Sequence, residues 1–430
     1  MLVVLLALLL VVLGYVIGEA YAQGVGVFGV GVAVLIWLVL CMVAYFQGDS
    51  ILLAVSGAKE IEKKDHPQLF NVVEEMTIAA GLPKMPRVFI IDDMALNAFA
   101  TGRKPDNAAV AVTAGLLGKL NRDELQGVVA HEMSHIVNRD VLLMAIIGVT
   151  LGAIVMIADI FLRSLWYSGA GMRTRRYRSS SKGGGQGQAV MMVAAIVLAI
   201  LAPLLAQLIY FAISRRREYL ADANAVVLTR YPQGLASALD ALAHDGNVLA
   251  RANKATAPMF IINPFHAAAR KAIGLTSTHP PIEKRIQVLR AIGGAVSFEQ
   301  YDNAWRKVNQ KKAGVIPSSA LSEDKPAAVR SSTADTAQKT PRQQMRQAGD
   351  LLRKINNFVF LPCVCGLRLK LPPDFKKSTV KCPRCHRELA VPVAQLAAAA
   401  QVADVLSERG TGQPPARKAK PRRSSGPRGQ

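Results

Sequence analysis

The sequence predicts a mainly α membrane protein. Four transmembrane helices carry an α+β cytoplasmic part divided between them, and a small β module with clustered cysteines follows near the C-terminus. Three observations predict this. The 430-residue chain combines a formal net charge of +22 with 51% hydrophobic residues and a mean hydropathy of +0.24, so apolar and basic residues are segregated into blocks. Four long blocks are almost purely apolar, and four of the five cysteines fall within residues 358–393. Chain-wide disorder is excluded, because it needs low hydrophobicity. A repeat-built fibre and a small disulfide-stapled secreted protein are excluded as well.

The apolar blocks run from Leu2 to Ile17, Gly24 to Phe46, Val141 to Phe161 and Ala189 to Ile213. About 20 apolar residues suffice to cross a bilayer as a helix. Ala20-Tyr21-Ala22 resembles a signal-peptide cleavage site, but no Lys or Arg precedes the long first run, which favours a spanning helix. Lys59, Lys63 and Lys64 after the second block, and Arg215 to Arg217 after the fourth, assign residues 47–140 and 214–308 to the cytoplasm. The Gly/Ser-rich loop within 141–213 carries Arg173, Arg175, Arg176, Arg178 and Lys182, which opposes that rule if both flanking helices cross. Full crossing is nevertheless the expectation.

Within 47–140, Val88–Ile91 and Ala108–Thr113 read as strands, from β-branched content between Pro, Asp and Gly flanks. His66–Ala80 and Asn121–Asn138 read as helices. The second opens on Asn121 with Glu124 three residues later, a capping-box pair, and carries an apolar stripe through Leu125, Val128, Val129 and Met133. Residues 214–308 read as mostly helical. Arg215–Leu228 continues the fourth membrane helix, and Thr278-His279-Pro280-Pro281 opens another helix with proline in its first turn. Residues 309–357 have linker composition, and 358–393 form the cysteine module. Residues 394–430 are Ala-rich, then basic and disordered, with seven Lys/Arg and no acid after residue 408.

The sharpest chemical signal is His131-Glu132-Met133-Ser134-His135. Imidazoles at i and i+4 project from one helical face and can share a Zn²⁺ ion. Glu132 beside them can take a proton from metal-bound water. Glu218 and Asp222 have the same i, i+4 spacing, so one carboxylate can complete the metal site while the other orients a ligand histidine.

On these residues the chain resembles the HtpX-type membrane zinc metallopeptidases, gluzincin-like relatives of the CAAX prenyl endopeptidases. The likeness covers roughly residues 1–295. It also rests on Asn97-Ala98-Phe99-Ala100-Thr101-Gly102, Val112-Thr113-Ala114-Gly115-Leu116-Leu117, Asn138-Arg139-Asp140, Arg217-Glu218-Tyr219-Leu220-Ala221-Asp222 and Thr278-His279-Pro280-Pro281-Ile282-Glu283-Lys284-Arg285. The resemblance implies His131, His135 and Glu218 as ligands of a catalytic zinc, Glu132 as general base and Asp222 behind a ligand histidine, His131 in the first instance. It implies that Asn97, Ala98, Phe99 and Ala100 form an edge strand that pairs with extended substrate. His279 either stabilises an oxyanion or caps a helix. Arg285 serves the same purpose or forms a structural ion pair. The implied activity is proteolysis in membrane-protein quality control, as a multi-pass protein of a bacterial inner membrane with its active site cytoplasmic. A dedicated CAAX-prenyl-type processing protease and a non-enzymatic scaffold are the alternatives.

Cys363-Val364-Cys365 and Cys382-Pro383-Arg384-Cys385 are two thiol pairs at zinc-ribbon separation, which predicts a second, structural zinc. The first pair is one residue shorter than usual, so His386 is a candidate substitute ligand. Expected partners are membrane-protein or peptide substrates and the lipid bilayer, with anionic lipid or a protein for the basic tail. The tail has no aromatic residue for base stacking, which argues against nucleic acid.

Overall fold

The computed structural model describes residues 2–171, 185–250, 260–261, 279–322, 324–332 and 340–392. The basic loop with Arg173 to Lys182, Thr278, and the Ala-rich and basic tail lie outside the described residues. The chain divides after Ala348 into two units.

The first unit begins with α1 (Leu2–Tyr21) and α2 (Gly26–Val55). There follow β1 (Ala58–Glu60), α3 (Pro67–Ala79), β2 (Arg87–Ile91), β3 (Ala98–Thr101), β4 (Ala109–Thr113), α4 (Ala114–Lys119) and α5 (Arg122–Val137). Two long helices come next, α6 (Asp140–Gly171) and α7 (Gly185–Thr229), then α8 (Pro232–Ala243) and α9 (Ile282–Arg290). The unit continues with β5 (Ala295–Val296), α10 (Phe298–Asn309), α11 (Ser318–Ser322) and β6 (Ala327–Ala328), and α12 (Pro341–Ile355) contains the division point.

Four helices, α1, α2, α6 and α7, are long and apolar enough to cross a membrane. Small residues set how they pack. A Cβ at Gly29 would sit 2.3 Å from the Gly14 carbonyl oxygen, and one at Gly18 would sit 2.7 Å from that of Val25, so α1 and α2 meet backbone to backbone. The buried stripe of α7 in this bundle is Ala195, Ala199, Ala202 and Ala206, clustered with Leu10, Leu13, Ile154 and Phe161. Trp37 Nε1 donates to Thr150 Oγ1 at 2.9 Å and ties α2 to α6 where water is scarce. At 45 residues, α7 is about 68 Å long at 1.5 Å per residue, more than twice a hydrocarbon core. Its C-terminal part therefore extends beyond the bilayer.

The sheet has the order β1-β2-β4-β3, with β2 and β4 parallel and both outer strands antiparallel to their neighbours. Alternating residues Phe89, Ile91, Ala109, Ala111 and Phe99 form one cluster with Leu52 and Leu53 at the end of α2. The sheet is thereby attached to a membrane helix. α5 starts with the anticipated capping box, the Asn121 side chain accepting from Glu124 N–H and the Glu124 side chain from Asn121 N–H.

Two expectations change. The prolines at 280 and 281 precede α9 rather than occupying its first turn, and the cap position is Pro281, without a side-chain bond. A residue before proline is driven out of the helical region, so Pro280 cannot begin a helix ahead of Pro281. Within the segment of linker composition, β6 pairs with β5, and Arg330 donates to Asp123 and Gln126 of α5.

The second unit carries two hairpins, β7 (Val359–Pro362) with β8 (Arg368–Leu371) and β9 (Thr379–Lys381) with β10 (Glu388–Ala390). Each hairpin opens with a cysteine pair at its turn.

Replacing Gly29 with Leu should force α1 and α2 apart and lower stability by about 1–3 kcal/mol. Thermal unfolding of the detergent-solubilised protein measures this, and an unchanged midpoint would contradict the close contact.

Candidate active site

The site forms where α5 meets the distal part of α7. His131 and His135 lie one turn apart on α5, with ring centroids 4.9 Å apart and planes perpendicular. Glu218 enters from α7, its Oε2 3.7 Å from His131 Nε2 and its Oε1 3.6 Å from His135 Nε2. One ligand atom from each residue falls within 4.8 Å of the others. His131 Nε2 is buried and accepts no hydrogen bond, and Glu218 Oε2 beside it is held by an ion pair to Arg285. A buried acceptor left unpaired costs about 1–3 kcal/mol. A cation at Nε2 removes that cost, and two imidazoles with a carboxylate suit zinc.

The remaining imidazole nitrogens are fixed from behind. His131 Nδ1 lies 3.0 Å from Asp222 Oδ1. Burial pushes the His131 pKa down to about 3, so its ring is neutral, donates from Nδ1 and keeps Nε2 as a lone pair. His135 Nδ1 lies 2.9 Å from Asp140 Oδ2. Asp140 is itself paired with Arg217, whose guanidinium also donates to the Asn138 carbonyl at 3.1 Å.

Arg285 lies behind both carboxylates, 1% exposed. Its Nε and Nη2 donate to Asp222 at 2.8 and 2.7 Å, and Nη1 stands 3.2 Å from Glu218 Oε2. Of the two roles open to Arg285, this geometry is the structural ion pair.

Glu132 is 1% exposed, and burial pushes its pKa up to about 7, opposed by His135 and reinforced by Glu218. A carboxyl near neutrality can both take up and release a proton. Its Oε1 has no hydrogen-bond partner, while the Ala100 N–H donates to the carboxylate.

β3 is the outer strand of the sheet, as the edge-strand reading requires. Its residues are not equivalent, however. Asn97 lies just before β3, not in it, and spends its N–H and carbonyl on Thr113, while Phe99 is paired with Ala111 in the register and stacks edge-on against Phe260 at 5.3 Å. Only Ala98 and Ala100 turn backbone groups outward, and the Ala98 carbonyl accepts from Ile261 N–H at 3.0 Å. Phe260 and Ile261 also line the pocket over Glu132, a cavity of about 30 Å³ that holds a water or two but no peptide.

His279 is 3% exposed and its Nε2 bonds the Phe260 carbonyl at 2.6 Å. Arg285 Nη1 donates to the Ile261 carbonyl at 3.1 Å. His279 Nε2 also stands 4.0 Å from Glu218 Oε1, so the ring lies beside the metal-site carboxylate while its nitrogen is engaged by backbone. It holds the Phe260–Ile261 segment against β3.

Asp140 and Arg217 belong to the site but carried no role in the sequence reading. The usable signal was an aspartate five residues after His135. It was obscured because α5 ends at Val137 and Arg139 adopts φ +54° before α6 begins, so helical spacing does not relate His135 to Asp140.

In the second unit the four cysteine sulfurs lie within 4.8 Å of one another. Cys363 and Cys385 Sγ are 3.5 Å apart, and Cys365 and Cys382 Sγ are 3.7 Å apart. These are not disulfides, whose sulfurs lie near 2.05 Å. They match the spacing of about 3.8 Å that tetrahedral ligation at Zn–S near 2.3 Å implies. Backbone N–H of Cys385 lowers the Cys382 thiol below its ordinary pKa. Gly366 and His386 follow the second cysteine of each pair at φ +81° and +58°. His386 is thus an exposed turn residue outside the four-sulfur cluster.

A family model described as Peptidase family M48 matches residues 63–293. The Protease HtpX homolog of Dictyoglomus turgidum is 47% identical over 268 residues, 62% of this chain and 83% of the relative. That of Caldanaerobacter subterraneus subsp. tengcongensis is 42% identical over 295 residues, 67% and 93% of the two chains. That of Streptococcus equi subsp. equi is 43% identical over 277 residues, 64% and 89%. A crystal structure of S. mikatae Ste24p aligns over 60% of this chain and 57% of that one, at 20% identity and a TM-score of 0.37, too distant to carry weight.

Asp140→Asn and Asp222→Asn should each weaken zinc binding about 10–100-fold. Competition with a chromophoric chelator measures it. Unchanged affinity in both variants would show that the outer carboxylates do not act on the ligand imidazoles.

Proposed function

Because the chain belongs to peptidase family M48 and is a membrane metalloprotease, we propose that it is an endopeptidase that cuts damaged or misfolded membrane proteins at the cytoplasmic face, with Glu132 as its general base. The observation that carries this reading is the rooting of the site. Glu218 lies on the helix that crosses the bilayer, and Asp140, which holds His135, is the first residue of another such helix. Chemistry built there meets chains emerging from the membrane.

His131, His135 and Glu218 would hold the catalytic zinc. A zinc ion there supplies Lewis acidity to a scissile carbonyl and lowers the pKa of an attacking water to about 7. Glu132 takes the water's proton at its unpartnered Oε1 and returns it to the leaving amine, while Ala100 N–H keeps the carboxylate oriented. The peptide lies as an added strand on the outer edge of β3, where its backbone replaces the Ile261 N–H on the Ala98 carbonyl. Phe260 and Ile261 would withdraw to admit it, because the present cavity of about 30 Å³ is too small for a peptide. Buried Asp222 and Arg285 keep the His131 ring and Glu218 in place throughout. The four cysteines would hold a second zinc, and four thiolates that leave no place for water fit a structural role.

Glu132→Gln should lower kcat on a membrane-protein substrate about 10²–10⁴-fold while the catalytic zinc is retained. Undiminished cleavage by the purified variant would end the general-base assignment. Metal analysis should give two zinc ions per chain, falling to one when Cys382 and Cys385 become Ser. The count should stay at two in His386→Ala; a loss there would restore His386 as a ligand.

A further inference from the structure

A second concavity adjoins the catalytic pocket, and no step described above uses it. Its volume is about 330 Å³, and it opens between α2 and α6. Ala44, Gly48 and Leu52 of α2 line one side, Val141 and Ala145 of α6 the other, and Thr101 closes the end. Both helices belong to candidate membrane spans, and the groove lies toward the end of α2 and the start of α6, where they meet the sheet.

Three features connect it to the site. Val141 lines both cavities. Ala100 lines the catalytic pocket and Thr101, the next residue of β3, lines the groove, a step of about 3.3 Å along the strand. Asp49 of α2 accepts from Thr101 Oγ1 at 2.9 Å and from Gly102 N–H at 3.1 Å, which fixes the end of β3 to the membrane helix. At the rim, Arg103 donates to the Tyr45 carbonyl and lies over the Tyr45 and Phe46 rings at 4.8 and 5.7 Å, a cation and aromatic pair suited to the headgroup level.

A Cβ at Gly48 would meet nothing within 4 Å, so the space beside this position is open and a larger side chain placed there would project into the groove.

We propose that the α2–α6 groove receives the apolar, membrane-embedded stretch of the substrate polypeptide, so that the enzyme selects bonds close to the end of a membrane segment. This rests on the protease reading and adds its substrate class. A strand lying along β3 past Ala100 leads toward Thr101 and Asp49, which line the groove, and the occupant that is continuous with such a strand is the same chain.

The test compares two substrates with one scissile sequence, a single-span protein in proteoliposomes and a water-soluble peptide without the apolar stretch. Gly48→Phe fills the groove, and Gly48→Ala is its control. Gly48→Phe should lose at least about ten-fold more in kcat/KM on the single-span substrate than on the peptide, mainly through KM, while Gly48→Ala shows no such difference. Equal losses on both substrates, or no loss on either, would overturn the proposal. A second readout needs no turnover: in Glu132→Gln carrying Leu142→Cys, disulfide trapping should capture a single cysteine placed in the substrate's apolar stretch. Failure to trap, with lipid filling the groove instead, also overturns it. Trapping without cleavage by the unmodified enzyme would uphold the groove and count against the proposed activity alone.

Discussion

Around Arg285 the chain buries two carboxylates and the His131 imidazole almost completely, and the guanidinium makes that burial tolerable. Carboxylates taken out of water must be paired and hydrogen-bonded or they neutralise. Asp222 receives a two-pronged contact from Arg285, and Glu218 receives the remaining nitrogen. With the His131 ring neutral, Glu218, Asp222 and Arg285 leave one negative charge, which suits the cluster to a cation. Every element that carries a member of the group is held to the others through this set: α5 by His131, α7 by Glu218 and Asp222, α9 by Arg285 itself.

The parts of the site legible in the sequence are those governed by helical spacing. His131 and His135, like Glu218 and Asp222, sit four residues apart, and helix geometry alone puts each pair on one face. That Asp222 backs His131 follows once the two helices are packed together. What escaped were contacts made across breaks and between distant segments. Asp140 reaches His135 around the left-handed turn at Arg139. Phe260 and Ile261 carry no motif at all, and their seat on β3 comes from backbone hydrogen bonds that any residue can make. His279 was legible as a residue of interest, but its partner, a backbone carbonyl, was not.

The fold shows the same division. The four apolar helices and the capping box of α5 were plain from composition and pattern. The β6 strand and the Arg330 anchor within a segment of linker composition were not, because two-residue pairing leaves no periodic trace. In the cysteine module the spacing announced a four-sulfur centre, whereas the turn role of His386 depended on its backbone angle.

The continuity of α7 bears on the life of the chain before it acts. His135 precedes α6 and Glu218 lies in the distal part of α7, so the two ligands can meet only after both long helices have settled beside one another. A newly made chain still in the aqueous phase has its histidines but not the carboxylate at their side. Completion of the catalytic centre is thereby an assembly event tied to correct membrane insertion, and the cell is spared a free protease in its cytosol.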